Sequence, residues 1–99
     1  MALTSKQRRV LRGKGQTLDP VVFIGKEGIS EAGVASTEDA LRWRELIKVR
    51  VLTNAPDETA ALAARLAEAT GSDLVGKVGH TFLLYRANPN VREPIELPE

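Results

Sequence analysis

The chain has 99 residues, 42 % of them apolar, which is enough for one domain with a core of its own. It has no cysteine, which excludes disulfides and cysteine-ligated metals. No apolar run is long enough to span a membrane and no hydrophobic signal segment opens the chain, so we expect a soluble cytoplasmic protein.

The net charge of +1 hides a strong asymmetry along the chain. Residues 1–26 carry six Lys or Arg against one acid, whereas residues 87–99 carry one Arg against three Glu. A basic first third of this kind favours a polyanionic partner, although a merely solvated charged face is the common alternative.

The first predicted element is a basic amphipathic helix, capped by Thr4 or Ser5 and ending near Gly13–Gly15. Plotted at helical spacing, the residues of one side are Leu3, Gln7, Val10 and Leu11. Arg8, Arg9 and Arg12 lie on the opposite side, where we expect all three to face solvent. The first acid of the chain is Asp19. The basic residues that precede it are Lys6, Arg8, Arg9, Arg12 and Lys14.

A short apolar run, Val21–Ile24, then predicts a buried strand that leads into Gly25-Lys26-Glu27-Gly28. Glycines three apart allow close backbone approach, and a helix beginning behind them, with Ser30 as candidate N-cap, directs free N–H groups toward the same place. Phosphate oxygens fit such a site, and a G-x-x-G loop clamps the nucleic-acid backbone in KH domains. The motif is neither a Walker A loop nor G-x-G-x-x-G, and alone it is equally typical of a plain strand-to-helix turn.

The second helix is expected over Ser30–Arg44, followed by a strand over Leu46–Thr53 that alternates cleanly. Its apolar residues Ile47, Val49 and Val51 share one face, and Lys48 and Arg50 share the other. With Lys77 and Arg86 from later strands, these two cations are expected to line part of an open sheet face.

Pro56 and Asp57 are expected to open a third helix that ends at Gly71. Two strands follow, near 73–78 and 81–86, joined by a turn at Gly79-His80. Residues 87–99 are interpreted as a mostly extended tail. The predicted order, α-β-α-β-α-β-β, indicates parallel strands joined by crossovers, plus one antiparallel strand.

No residues form a recognisable catalytic or metal site. His80, the only histidine, is interpreted as a turn residue, and no pair of carboxylates falls in an evident cleft. We therefore expect a protein that is not an enzyme and that uses no cofactor, metal or small-molecule substrate. Trp43 and Tyr85 are the aromatic candidates for stacking on a base, but both are interpreted as mainly packing residues, Trp43 as a partly exposed one.

Four segments together resemble the YhbY-like proteins, the stand-alone bacterial form of the chloroplast RNA splicing and ribosome maturation (CRM) domain. The resemblance covers about Leu3 to Pro98. The matching segments are L-T-S-K-Q-R-R-V-L-R at 3–12, P-V-V-F-I-G-K-E-G-I-S at 20–30, E-L-I-K-V-R-V at 45–51 and V-G-H-T-F-L-L-Y-R at 78–86. P-I-E-L-P at 94–98 is similar to the family's closing segment.

The resemblance implies a two-layer α/β sandwich like the C-terminal domain of translation initiation factor three, with a mixed sheet of order 1-2-4-3. The resemblance and the composition together predict a CRM-type RNA-binding domain over residues 1–88 and an extended acidic tail over 89–99. The resemblance also implies binding to precursor ribosomal RNA or a pre-ribosomal subunit, because bacterial members are regarded as assembly factors for ribosomal subunits. In this chain Gly15-Gln16 stands where many members have a small residue followed by His, and Glu27 places a negative charge beside the proposed phosphate site.

The residues and the resemblance together predict a monomeric RNA-binding protein of ribosome assembly that docks without chemistry. The predicted RNA-binding residues are Gly25, Lys26, Glu27, Gly28, Lys6, Arg8, Arg9, Arg12, Lys14, Lys48 and Arg50. The main alternative is a protein-interaction module whose basic face binds an acidic protein partner. Binding to DNA ranks third, because no helix-turn-helix or other major-groove module is evident.

Overall fold

The computed structural model describes residues 3–99, in which three helices and four strands follow one another in the predicted order. They are α1 Ser5–Gly15, β1 Pro20–Ile24, α2 Glu31–Arg44, β2 Leu46–Val51, α3 Thr59–Thr70, β3 Asp73–Val78 and β4 Thr81–Tyr85. Two boundaries differ from the prediction by more than one residue. Strand β2 ends at Val51 because the chain turns there, with Ala55 N–H donating to the Leu52 carbonyl at 3.1 Å, and α3 starts at Thr59 because Pro56 and Asp57 lie in a bend.

The four strands form one mixed sheet of order β1-β2-β4-β3, as predicted. Strand β1 is parallel to β2, and β4 is antiparallel to both of its neighbours, β2 and β3. The carboxyl ends of β1 and β2 therefore meet at one edge of the sheet, next to the β3–β4 turn, where Val51 N–H donates to the His80 carbonyl at 2.7 Å. We call this edge the loop edge.

The sheet buries apolar side chains on both faces. Helices α2 and α3 cover one face, where the predicted residues Ile47, Val49 and Val51 pack with Leu62 and Leu66. On the other face a second cluster forms around α1, whose members are Leu11, Leu46, Val75, Leu83 and Tyr85. Helix α1 thus adds a partial third layer to the predicted α/β sandwich.

Helix α1 is fixed at both ends. Thr4 and Gln7 form a reciprocal capping box, with hydrogen bonds of 3.0 and 3.1 Å, which satisfies two of the N–H groups left free at a helix start. Near the other end Gly15 lies against Leu83, and a Cβ at this position would overlap that side chain. Gly15 therefore lets α1 approach the sheet closely and does more than end the helix.

The C-terminal segment folds back onto the α1 face of the sheet. Ile95 and Leu97 pack against the second cluster. The buried Glu45 carboxylate accepts the N–H groups of Asn88 and Ile95, both at 2.7 Å, and Glu45 itself adopts the left-handed φ of 55°. Gln7 Nε2 donates to the Pro98 carbonyl at 2.8 Å, so the tail also contacts the start of α1. None of the helices in residues 3–99 has the length and apolarity needed to cross a bilayer.

Candidate nucleic-acid interface

The G-x-x-G segment, residues 25–28, forms a tight turn at the loop edge, and we call it the GKEG loop. Gly28 N–H donates to the Gly25 carbonyl at 3.0 Å, which closes the turn. Gly28 has φ +63°, and a Cβ there would also lie 3.1 Å from Pro56 Cγ. Gly25 has no positive φ, and a Cβ at this position would meet Asn54 and Leu52 only at an ordinary 3.6 Å. The backbone therefore requires glycine at position 28 but not at position 25.

The loop exposes the side chains of Lys26 and Glu27 to solvent. The backbone N–H groups of these two residues make no hydrogen bond within residues 3–99, so both are free donors. Consecutive free N–H groups beside an ammonium group suit an anionic oxygen. Glu27 lies in the same turn and lowers the local positive potential, as the sequence suggested.

The start of α2 contributes less than we expected. The helix begins at Glu31, three residues beyond Gly28, and Ser30 caps it by accepting Gly33 N–H at 3.0 Å. One free donor is thus used internally, and the exposed Glu31 carboxylate in the first turn already offsets the helix dipole. An anion at this end of the molecule would rely mainly on the GKEG loop.

A cleft of about 430 Å³ opens between the GKEG loop, β1 and α2. Its floor is apolar, with Ile24, Val34 and Leu66, and its rim is polar, with Ser30 and Asn54 among the lining residues. The loop is therefore one wall of a concavity and not an isolated protrusion.

The five cations of α1 do not share one environment. Lys6, Arg9 and Lys14 are exposed. Arg8 is half-buried, and its Nη1 donates to the Leu74 carbonyl of β3 at 2.6 Å. Arg12 keeps an exposed head group, but its aliphatic stem lies over Gly76, where a Cβ would be 3.0 Å from Arg12 Cδ. The prediction that Arg8, Arg9 and Arg12 all face solvent was wrong for Arg8, because α1 packs on the sheet through a wider face than its apolar residues alone define.

The cations separate into two groups by their ion pairs. Within residues 3–99 the salt bridges are Arg42–Asp39, Arg65–Asp57 and Arg86–Glu38, at 3.1, 3.0 and 2.9 Å. No salt bridge involves any of the eight Lys and Arg residues predicted to bind RNA. Arg44, Lys77 and Arg92 also have no ion-pair partner within residues 3–99.

Two of the four cations expected on the open sheet face lie there. Lys48 and Arg50 project from β2 on the α1 side, and Lys48 lines a groove of about 360 Å³ together with Arg12 and Gln16. Lys77 and Arg86 do not join them. Lys77 is in register with Phe82, which faces α2 and α3, and Arg86 is held on that same side by Glu38 and by the Thr70 carbonyl at 2.7 Å.

The sequence analysis missed Phe23. Its run of four apolar residues was interpreted as fully buried, but β1 alternates: Val22 and Ile24 are buried, whereas Val21 is 36 % and Phe23 is 56 % exposed. The sequence did contain a signal for this exposure. Strand β2, which pairs with β1, alternates apolar and basic residues, so one face of the sheet is exposed to solvent there.

The two aromatic candidates for stacking have opposite environments. Trp43, near the end of α2, is 74 % exposed. Tyr85 is buried in the second cluster, where burial raises the pKa of its phenol and the carboxylates of Glu45 and Asp73 raise it further. Tyr85 is therefore a packing residue.

His80 occupies the β3–β4 turn, as predicted, with Nδ1 3.5 Å from Thr59 Oγ1. Residues 3–99 contain no group of three or more His, Asp or Glu side chains placed to hold a metal ion.

Comparison with known proteins gives consistent results. Residues 3–86 match the model of the CRS1 / YhbY (CRM) domain family. The probable RNA-binding protein YqeI of Bacillus subtilis is 38 % identical over 96 residues, which cover 97 % of this chain and 99 % of YqeI. A Haemophilus influenzae protein named RNA-binding protein is 38 % identical over 97 residues, which cover 97 % of this chain and 95 % of that protein. The solution structure of SAV1595 from Staphylococcus aureus, described as a candidate RNA-binding protein, matches with a TM-score of 0.83 and 45 % identity over 98 % of this chain and all of that one.

Proposed function

The chain belongs to the CRS1 / YhbY (CRM) domain family, and from that membership we propose that it is an RNA-binding protein that docks on precursor ribosomal RNA and assists assembly of a ribosomal subunit. The names of its relatives in Bacillus subtilis and Haemophilus influenzae support RNA as the ligand. The ribosomal role follows from the resemblance to YhbY-like proteins.

The observation that carries the proposal is the distribution of unpaired cations. A surface that serves only solubility usually alternates charges, and its Lys and Arg residues gain from neighbouring acids. Of the six cations outside the predicted RNA-binding set, Arg42, Arg65 and Arg86 have acidic partners of this kind, and the other three have none in residues 3–99. The predicted set has none and remains available to displace counterions from phosphate groups.

In this proposal the contacts divide by type. The exposed cations of α1 bind phosphates and orient the protein on its RNA, since phosphate contacts set register and carry no sequence information. The GKEG loop receives one phosphate through Lys26 Nζ and the N–H groups of Lys26 and Glu27. Arg50 and Lys48 extend the positive surface across the sheet. No bond is made or broken.

Sedimentation of a cell lysate tests this function. The protein should migrate with precursor subunits, and RNase treatment of the captured complex should release it. Release of the protein by RNase separates RNA binding from the protein-interaction alternative, in which an acidic protein partner stays bound. Migration only as free protein, in cells that are actively making ribosomes, would contradict the ribosomal role.

A further inference from the structure

Helix α1 leaves half of its sheet face uncovered. Its contacts reach Leu83 through Gly15 and Gly76 through Arg12. Leu83 and Gly76 belong to one row across the sheet with Lys48, because Lys48 pairs with Leu83 and Leu83 pairs with Gly76. The next row toward the loop edge is Phe23, Arg50, Thr81 and Val78, which are in register one with the next across all four strands. We call this row the open row.

The open row is accessible and has an apolar side chain at each end. Phe23 is 56 % and Val78 is 79 % exposed, and Arg50 between them is exposed as well. Val21 and Leu52 lie two residues from Phe23 and Arg50 along the chain, a spacing that gives them the same face. Of the five exposed large apolar side chains in residues 3–99, four lie at this surface, and the fifth is Trp43. Such a concentration marks an interaction site and not random exposure.

Within the four strands, the charged side chains in and next to the open row are all positive. Arg50 lies within it, with Lys48 and Arg12 in the row below. The only acid in any of the four strands is Asp73, which pairs with Tyr85 at the opposite end of the sheet. A second copy of the chain is a poor occupant, because a two-fold interface would bring these cations against themselves with no acid between them.

We infer that the open row is a platform on which unpaired RNA bases stack, with Phe23 as the aromatic surface and Arg50 as its cationic neighbour. Phe23 and Arg50 are direct cross-strand partners, so a base on the ring lies beside a guanidinium that can stack on the next base or bind the connecting phosphate. The GKEG loop begins one residue beyond Ile24, so a strand leaving Phe23 can continue into the loop's phosphate site.

The dimensions favour a short single strand. Four strands spaced about 4.8 Å apart give a row about 14 Å long, which accommodates only a short stretch of single strand. The bases of an uninterrupted duplex are stacked on one another and cannot reach a flat protein surface. The occupant is therefore an unpaired segment of a structured RNA.

This inference rests on the proposed function and is tested by measurements that separate the two. The probes are an eight-nucleotide oligouridine and a blunt RNA duplex, each titrated at one fixed salt concentration. Phe23→Ala should weaken binding of the single strand about five- to 150-fold, the range that corresponds to loss of one stacked base. It should leave duplex binding and the salt dependence unchanged, because no charge is removed.

Matched variants distinguish stacking from general apolar contact. Phe23→Tyr should bind like the wild type, whereas Phe23→Leu should lose as much as Phe23→Ala. Trp43→Phe, at the other exposed aromatic residue, should change nothing. In a Trp43→Phe background, Phe23→Trp makes position 23 the only tryptophan, and its fluorescence should be quenched when oligouridine binds. This last variant preserves an aromatic side chain and serves even if Phe23→Ala fails to fold.

Three results would overturn the inference: wild-type affinity of Phe23→Ala for the single strand, recovery of affinity by Phe23→Leu, or unchanged fluorescence of the position 23 tryptophan at saturation. A change from dimer to monomer caused by Phe23→Ala would also overturn it, in favour of self-association. All of these leave the proposed function intact if α1 variants still lose RNA. If the wild-type protein binds neither probe nor ribosomal RNA, the proposed function fails as well.

Discussion

Removing the three free charges of α1 should weaken RNA binding without unfolding the protein. Lys6, Arg9 and Lys14 are exposed and make no salt bridge, unlike Arg8, which is bound to β3. Alanine at these three positions keeps the helix, because Ala has the highest helix propensity, and exposed substitutions usually change the free energy of unfolding by less than about 0.5 kcal/mol.

The size of the effect follows from counterion release. Each phosphate contact to a single strand contributes about 0.7 to the slope of log K against log salt. Loss of three contacts should therefore reduce the slope by about 2. This electrostatic contribution to binding vanishes near 1 M salt. At 0.1 M salt, loss of the three contacts should therefore lower the RNA association constant about 100-fold, which corresponds to about 3 kcal/mol.

The assay is an equilibrium titration of a precursor ribosomal RNA fragment at several salt concentrations, with a thermal melt of each variant. The matched control replaces Arg44, Lys77 and Arg92, three exposed cations outside the predicted RNA-binding set, and lowers the net charge by the same amount. The control should keep most of the affinity and the slope. Equal losses in the two triple variants would show that only net charge matters, and an unchanged α1 variant would refute the phosphate-binding role of the helix.

Three further predictions follow from single side chains. In the GKEG loop, Gly25→Ala should fold normally and Gly28→Ala should lower the melting temperature, because only position 28 needs a positive φ. Reduced RNA affinity of a fully folded Gly25→Ala variant would support phosphate contact at position 25, and normal affinity would contradict it. Arg8→Ala should cost about 1–3 kcal/mol in a denaturant titration, because it removes a charge-assisted bond to the Leu74 carbonyl, and unchanged stability would show that this bond is not significant. Folding should lose stability as the pH rises above about 10, because the raised pKa of Tyr85 keeps its phenol neutral in the folded state while the unfolded chain ionises. Tyr85 is the only tyrosine, so phenolate absorbance reports this titration directly, and ionisation of the folded protein at the ordinary pH would contradict the prediction.

Much of the fold was predictable because local signals agreed with one another. The capping residues Thr4 and Ser30 and the left-handed glycines at positions 71 and 79 mark the ends of helices and turns in the sequence. The antiparallel last strand followed from the hairpin signal at Gly79-His80, and the strand order came from the family resemblance. The GKEG loop was recognised as a turn, but which of its glycines needs a positive φ depends on the loop between β2 and α3, which no local pattern reveals.

The site was predicted less completely, because exposure depends on which elements share a face. Phe23 is exposed because α1 stops covering the sheet at the Lys48 row. The alternation of β2 indicates a solvent-exposed face, but nothing in the sequence reports how far along that face α1 extends. Arg8 was assigned to solvent for the same reason. Its charge is compatible with a solvent-facing position, and only the docking of α1 on β3 brings it to the Leu74 carbonyl.

Ultraviolet crosslinking in intact cells, with identification of both the crosslinked nucleotides and the crosslinked peptides, tests the central claim most directly. We expect crosslinks to precursor ribosomal RNA from the peptides that hold α1 and the segment from Phe23 to Gly28. Crosslinks confined to other RNAs, or to peptides around Trp43 at the far end of α2, would contradict both the proposed target and the proposed surface.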